Sequence, residues 1–184
     1  MLFNSFEFLG FLPLVFILYW FVFKRSLPWQ NALILLASYF FYGWWSWAFM
    51  ALLMASTLLD YLYGFGVAAA NRKKAKLFLW LSVVNNLGIL GVFKYYNFFI
   101  DSFIQLGEPF GWHADFLHLN ILLPVGISFY TFQTLSYTID IYRNELKCTR
   151  NFVDFSLFVA FFPQLVAGPI ERAKALLPQL EVKL

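Results

Sequence analysis

Along residues 133–144, polar side chains recur at three- to four-residue spacing: Gln133, Ser136 or Tyr137, Asp140, then Arg143 or Asn144. On a helix this spacing gathers them on one face. Inside an apolar segment such a face either lines a passage reaching the cytoplasm or forms the seam of a packed bundle, and the sequence leaves both open. Asp140 and Arg143 stand at the i,i+3 distance of an ion pair, worth about 0.2–0.5 kcal/mol on an exposed helix. A second group interrupts the next apolar stretch: Pro163, Gln164, Gly168, Pro169, Glu171 and Arg172. Proline removes a helical donor and clashes with the preceding turn. Irregular backbone survives at membrane depth only where protein buries it or it lines a wet cavity. Residues 163–172 therefore read as the wall of a site. Glu171 and Arg172 either bind a phosphate-rich donor, for which arginine forms good charge-assisted contacts, or pair with each other to fix the loop.

Other polar groups are read more plainly. Asp60 falls within an apolar run, where a carboxylate costs about 2.5–3.5 kcal/mol on insertion scales, so it must face protein or water. Ser56 and Gly64 share its helix face at four-residue spacing, which allows close helix approach. Asn85 and Asn86 read as interhelical hydrogen-bonding groups. His113 and His118 are the two histidines, and their spacing makes no recognisable metal site. A single cysteine, Cys148, excludes an internal disulfide and any cysteine-based metal centre. No metal is expected.

The elements that must position these residues are membrane helices. Of 184 residues, 61% are hydrophobic and only 12% charged, against about 25% charged in a soluble domain. The net charge of +3 comes from short clusters between apolar runs, so no basic module for nucleic acid exists. Spans of about 20 apolar residues are expected near 6–23, 31–47, 48–67, 77–93 and 121–141. A sixth stretch, 152–170, is expected to be broken or re-entrant. The fold class is thus all-α and polytopic, with residues 1–184 forming a single membrane domain in the lipid bilayer. Residues 94–106 either prolong the fourth helix or lie in the outer interface. The first run has no basic flank and carries Glu7, so it reads as an uncleaved span rather than a signal peptide. Basic residues sit in alternate connections: Lys24 and Arg25, then Arg72, Lys73, Lys74 and Lys76, then Arg143, Lys147 and Arg150. The positive-inside rule makes these cytoplasmic and puts the N-terminus and residues 108–115 outside.

Residues 123–143 (LPVGISFYTFQTLSYTIDIYR) and 161–173 (FFPQLVAGPIERA) resemble the membrane-bound O-acyltransferases, most closely the branch that acetylates exported polysaccharides such as alginate. The opening MLFNSFEF and the segment FKYYNFF at 93–99 extend the resemblance along essentially the whole chain. It implies a helical core enclosing a tunnel, where a donor on the cytoplasmic side meets an acceptor from the other face. Gln133, Asp140, Arg143, Pro163, Gln164, Gly168, Pro169, Glu171 and Arg172 then belong to the substrate-binding wall. The implied donor is acetyl-CoA, acting as a substrate with no cofactor bound. The implied location is the bacterial inner membrane. Implied partners are periplasmic acyltransferase proteins and polysaccharide export proteins. The resemblance places the histidine tied to catalysis beyond Leu184. It thereby implies the N-terminal portion of a longer enzyme, inactive by itself. A transporter subunit and a non-catalytic membrane scaffold are the alternatives.

Overall fold

Serine and asparagine caps start four of the helices. Ser5, Ser46, Asn71 and Asn151 each accept a backbone N–H from the following first turn, at 2.9–3.4 Å. The computed structural model describes residues 3, 5–69, 71–107, 123–169, 171–180 and 182. In chain order the helices are α1 (Phe6–Ile17), α2 (Leu27–Gly43), α3 (Trp47–Val67), α4 (Arg72–Leu90), α5 (Tyr96–Gly107), α6 (Ile127–Tyr142), α7 (Phe152–Ala160), α8 (Phe162–Ala167) and α9 (Ala173–Leu180). Single π-helical turns at Leu18–Val22 and Gly91–Tyr95 prolong α1 and join α4 to α5. Among the described residues there is no strand, so the all-α expectation holds.

The boundaries differ from expectation where local chemistry overrides hydropathy. The second helix begins at Leu27 because Pro28 fits a first turn. It ends at Gly43 because Ser46 caps α3 instead. Residues 94–106 prolong the fourth helix, giving an unbroken run from Arg72 to Leu106. Its 35 residues reach roughly 52 Å at 1.5 Å per residue. The helix expected at 121–141 starts only at Ile127, since Gly126 adopts φ 77° in front of it. A Cβ there would lie 3.0 Å from the Leu165 carbonyl oxygen, so the turn into α6 requires glycine. Residues 121 and 122, with His113 and His118, lie outside the described residues.

α3, α4 and α6 pack on one another, α2 packs between α3 and α7, and α9 closes against α6 and α7. α1 lies at the periphery with no buried residue and touches Phe41 and Phe162 through Phe8 and Phe11. Beside an apolar core that includes Leu53, Tyr137, Phe155 and Phe158, burial departs from that of a soluble protein. Asp60, Thr57, Ser82, Thr134 and Thr138 are completely buried, while Phe6, Phe21, Leu36 and Trp47 are two-thirds exposed or more. A surface of this kind is stable against lipid and unstable in water. Two helices among the described residues, Trp47–Val67 and Arg72–Leu106, are long and apolar enough to cross a bilayer. Phe6–Val22 and Phe152–Leu165 are apolar but shorter.

Candidate functional site

The expected sixth segment is two helices, and side chains from α2 and α6 bridge its break. Phe161 turns out of the helix at φ −54°, ψ 106°, and Pro163 then starts α8 without an N–H. A continuous helix would bond the Phe162 N–H to the Phe158 carbonyl. Instead Ser38 Oγ of α2 accepts the Phe162 N–H at 3.2 Å. Gln133 Nε2 of α6 donates to the Phe158 oxygen at 2.7 Å. Two side chains from different helices thus take the halves of one broken bond, the Phe158 carbonyl and the Phe162 N–H, while the Gln164 and Leu165 N–H groups both turn to the Phe161 carbonyl. A second break follows at Gly168, which is extended; a Cβ there would stand 2.8 Å from the Gln164 Cα. Gln164 Nε2 donates to the Pro169 oxygen at 3.2 Å, which holds this turn.

Beyond the breaks the chain doubles back. Asn31 Nδ2 donates both to the Leu180 carbonyl, at the end of α9, and to Asp154 Oδ1, at the start of α7, each at 2.8 Å. Asn151 Nδ2 holds the other Asp154 oxygen at 2.5 Å. The last turn of α9 therefore lies beside the first turn of α7. Lys174 Nζ reaches Glu145 Oε2 at 2.9 Å and fastens α9 to the connection after α6.

The sequence-selected residues fall into two groups. Gln133, Gln164 and half-buried Pro163 surround the helix break. Arg143 and Arg172, both exposed, approach the Glu145–Lys174 pair from the ends of α6 and α9. Lys174 holds the Glu145 carboxyl below its ordinary range by hydrogen bond and charge, and the two arginines reinforce it. Two anticipated pairs are corrected. No ion pair joins Asp140 to Arg143 or Glu171 to Arg172 among the described residues. Asp140 is buried in α6, and its backbone oxygen accepts the Glu145 and Leu146 N–H groups, while Arg143 points to solvent. The loop is tied by Lys174 and Glu145, whose pairing across 29 positions has no sequence signature. Gln133, Tyr137 and Asp140 are buried, so along these residues the stripe is a packed seam. Glu171 is half-buried, and Pro169 is exposed.

A polar node lies deeper, where α3, α4 and α6 meet. Asp60 Oδ1 accepts from Ser82 Oγ at 2.9 Å and from Asn86 Nδ2 at 2.7 Å. Thr134 Oγ1 donates to Asn86 Oδ1 at 3.1 Å. Asp60 Oδ2 and Ser56 Oγ, one turn apart, are buried with no partner among the described residues. Asn85 Nδ2 is partnerless too, so Asn86 alone of the two asparagines serves as interhelical glue. Gly64, one turn on from Asp60, lets Tyr137 of α6 come so close that a Cβ would lie 2.9 Å from its ring. Tyr137 also bonds Cys148 at 3.5 Å. Burial pushes the Cys148 thiol up, so it stays protonated near neutrality. No His, Cys, Asp and Glu cluster able to hold a metal occurs among the described residues.

An all-helical protein with exposed apolar faces, a buried polar node, a helix break bridged by side chains and a cationic end is the class these features define. A probable alginate O-acetylase of Pseudomonas putida is 46% identical over 178 residues, 96% of this chain and 36% of that protein. Another, of Azotobacter vinelandii, is 46% identical over 178 residues, 96% of this chain and 35% of that protein. A peptidoglycan O-acetyltransferase of Helicobacter pylori is 30% identical over 211 residues, covering 100% of this chain and 39% of its own. The chain belongs to the same family as these proteins, the membrane-bound O-acyltransferases. It spans about a third of the length of the curated relatives it matches. No family model and no solved structure matches it.

Proposed function

We propose that the chain forms part of the core of an inner-membrane O-acetyltransferase. In this reading the enzyme moves acetyl from acetyl-CoA on the cytoplasmic side to a hydroxyl of an exported polysaccharide. The observation that carries the reading is the agreement among relatives: five are named alginate O-acetylases, at 42–46% identity, and one a peptidoglycan O-acetyltransferase. In either case the acceptor is a polysaccharide hydroxyl. The broken helix supports it, because irregular backbone at membrane depth is tolerated where protein buries it or where it lines a cavity. Arg143 and Arg172 supply cations at the end where a donor rich in phosphate arrives.

In the proposed step an acceptor hydroxyl loses its proton while attacking the thioester carbonyl, and the thiol leaves. Histidine is tuned to accept that proton near neutral pH. By family resemblance this histidine lies beyond Leu184, and residues 1–184 alone do not turn over. Periplasmic acyltransferase and export proteins are the proposed partners, with the N-terminus outside and the basic loops cytoplasmic. The test is transfer of radiolabelled acetyl from acetyl-CoA to alginate or peptidoglycan, in membranes holding the full-length protein that carries this chain. Label on alginate is the expected result. Label on peptidoglycan alone would move the acceptor, and label on neither would leave the scaffold and transporter readings.

A further inference from the structure

A cleft of about 570 Å³ opens between the end of α3, the start of α4 and the connection after α6. The acyl-transfer reading does not use it. Arg72 and Lys147 line it with Asn144, and Val67, Ile141 and Leu146 make its apolar side. Ala68, Ala69 and Ala75 leave room between them. No Asp or Glu contributes to the lining.

Arg72 is held in place. Its guanidinium carbon lies 4.0 Å over the Tyr142 ring, and one of its terminal nitrogens donates to the Tyr142 carbonyl at 3.2 Å. That bond uses one of the five N–H groups of the fork. Lys147 makes no hydrogen bond or ion pair among the described residues. Lys73, Lys74 and Lys76 follow Arg72 around the first turn of α4 and are exposed. The helix terminus itself is not the attraction, since Asn71 Oδ1 already accepts the Lys73 and Lys74 N–H groups. The cations are side chains, and one is a stacked, oriented fork of the kind that binds phosphate oxygens in pairs.

The cleft sits at the ends of the two helices long enough to cross a bilayer, Trp47–Val67 and Arg72–Leu106, and so at headgroup depth. A soluble anion has no use for the apolar side. A lipid headgroup does, because its glycerol and first acyl carbons follow the phosphate. Basic pockets between transmembrane helices hold anionic headgroups by this combination. We infer that the cleft seats the phosphodiester headgroup of an anionic phospholipid, with Arg72 and Lys147 as its two cations and Val67, Ile141 and Leu146 against its glycerol end. The inference rests on α3 and α4 crossing the membrane, but not on acetyl transfer.

The test uses the full-length protein that carries this chain. Flotation with phosphatidylcholine vesicles comes first, and failure to float would remove the membrane premise itself. Delipidated protein in detergent is then titrated with phosphatidylglycerol, phosphatidylcholine or glycerol 3-phosphate, reading the melting temperature and the lipid retained in native mass spectra. Phosphatidylglycerol is expected to raise the melting temperature and remain bound, with little effect from the other two. Lys147→Gln, which removes no hydrogen bond or ion pair found among the described residues, is expected to weaken phosphatidylglycerol binding about fivefold, and Arg72→Gln by a similar factor. Lys73→Gln/Lys74→Gln is expected to leave most of the binding. Equal retention of phosphatidylcholine, a full response to glycerol 3-phosphate alone, or unchanged binding by Lys147→Gln would each overturn the assignment.

Discussion

Gln133 and Ser38 hold the two halves of one broken helical hydrogen bond, the first on the Phe158 carbonyl at 2.7 Å and the second on the Phe162 N–H at 3.2 Å. All four groups are buried or in buried residues. Losing one partner leaves the other unsatisfied, at about 1–3 kcal/mol for a buried polar group. Gln133→Leu and Ser38→Ala are each expected to lower stability by that order in detergent melts. Because both act on one break, the double variant is expected to lose less than the sum. Full stability in Gln133→Leu would show that the break does not depend on this bond.

The break itself was legible in the sequence, because Pro163 and Gly168 act on their own backbone. The helix face carrying Ser56, Asp60 and Gly64 was legible too, because four-residue spacing fixes which side chains share a face. What fills the break was not. Ser38 and Phe162 are 124 positions apart, and Gln133 and Phe158 are 25 apart. Nothing in local pattern selects Ser38 over the other serines. Asp140 and Arg143 show the opposite failure: the spacing allowed a pair, but burial took Asp140 one way and solvent took Arg143 the other. The start of α9 beside Glu145 was equally hidden, since it depends on a turn at Gly168 whose direction spacing does not fix.

Stability contributed by the Glu145–Lys174 pair depends on pH in a definite sense. The Glu145 carboxyl is held below its ordinary value, chiefly by Lys174. A depressed carboxyl contributes above its unfolded pKa of about 4.3 and loses that contribution as pH falls through the lowered folded value. Both side chains are substantially exposed, so salt screens the pair and its worth is small. Lys174→Gln is therefore expected to melt slightly below the parent protein at neutral pH and low salt. The gap should close below pH about 4 and in high salt. A gap that persists in acid would assign it to lost packing of the lysine stem.

Close approach of α3 and α4 depends on Gly66. A Cβ at that position would lie 2.2–2.5 Å from the Phe78 ring, whereas one at Gly88 meets nothing within 4 Å. Overpacking of this kind costs about 1–3 kcal/mol. Gly66→Ala is expected to fall in that range, and Gly88→Ala to be neutral or slightly stabilising, as alanine is the better helix former. Pairing Gly66→Ala with Phe78→Leu should recover part of the loss. Equal melting temperatures for the two alanine variants would remove the steric account.

Asp60 offers the clearest separation of chemistry from packing. Its Oδ1 receives Ser82 and Asn86, and neither partner is basic. What these two donors need from position 60 is therefore an acceptor oxygen, and with no basic partner a charge on it would do no more than strengthen the same two bonds. Asp60→Asn keeps such an oxygen and is expected to stay within about 1 kcal/mol of the parent, the size of a typical net hydrogen-bond contribution. Asp60→Leu takes away the shorter of the two acceptors of the Ser82 hydroxyl, leaving Thr138 Oγ1 at 3.4 Å, and leaves one N–H of the Asn86 amide without an acceptor, its other bonding the Ser82 carbonyl at 3.0 Å, for a loss of about 1–3 kcal/mol. Replacing the partners as well removes the stranded groups, so Asp60→Leu/Ser82→Ala/Asn86→Leu should regain much of that loss. Melting midpoints of the three variants decide the matter. If Asp60→Asn fell as far as Asp60→Leu, the carboxylate itself, with its proton or its charge, would be what the three helices are built around.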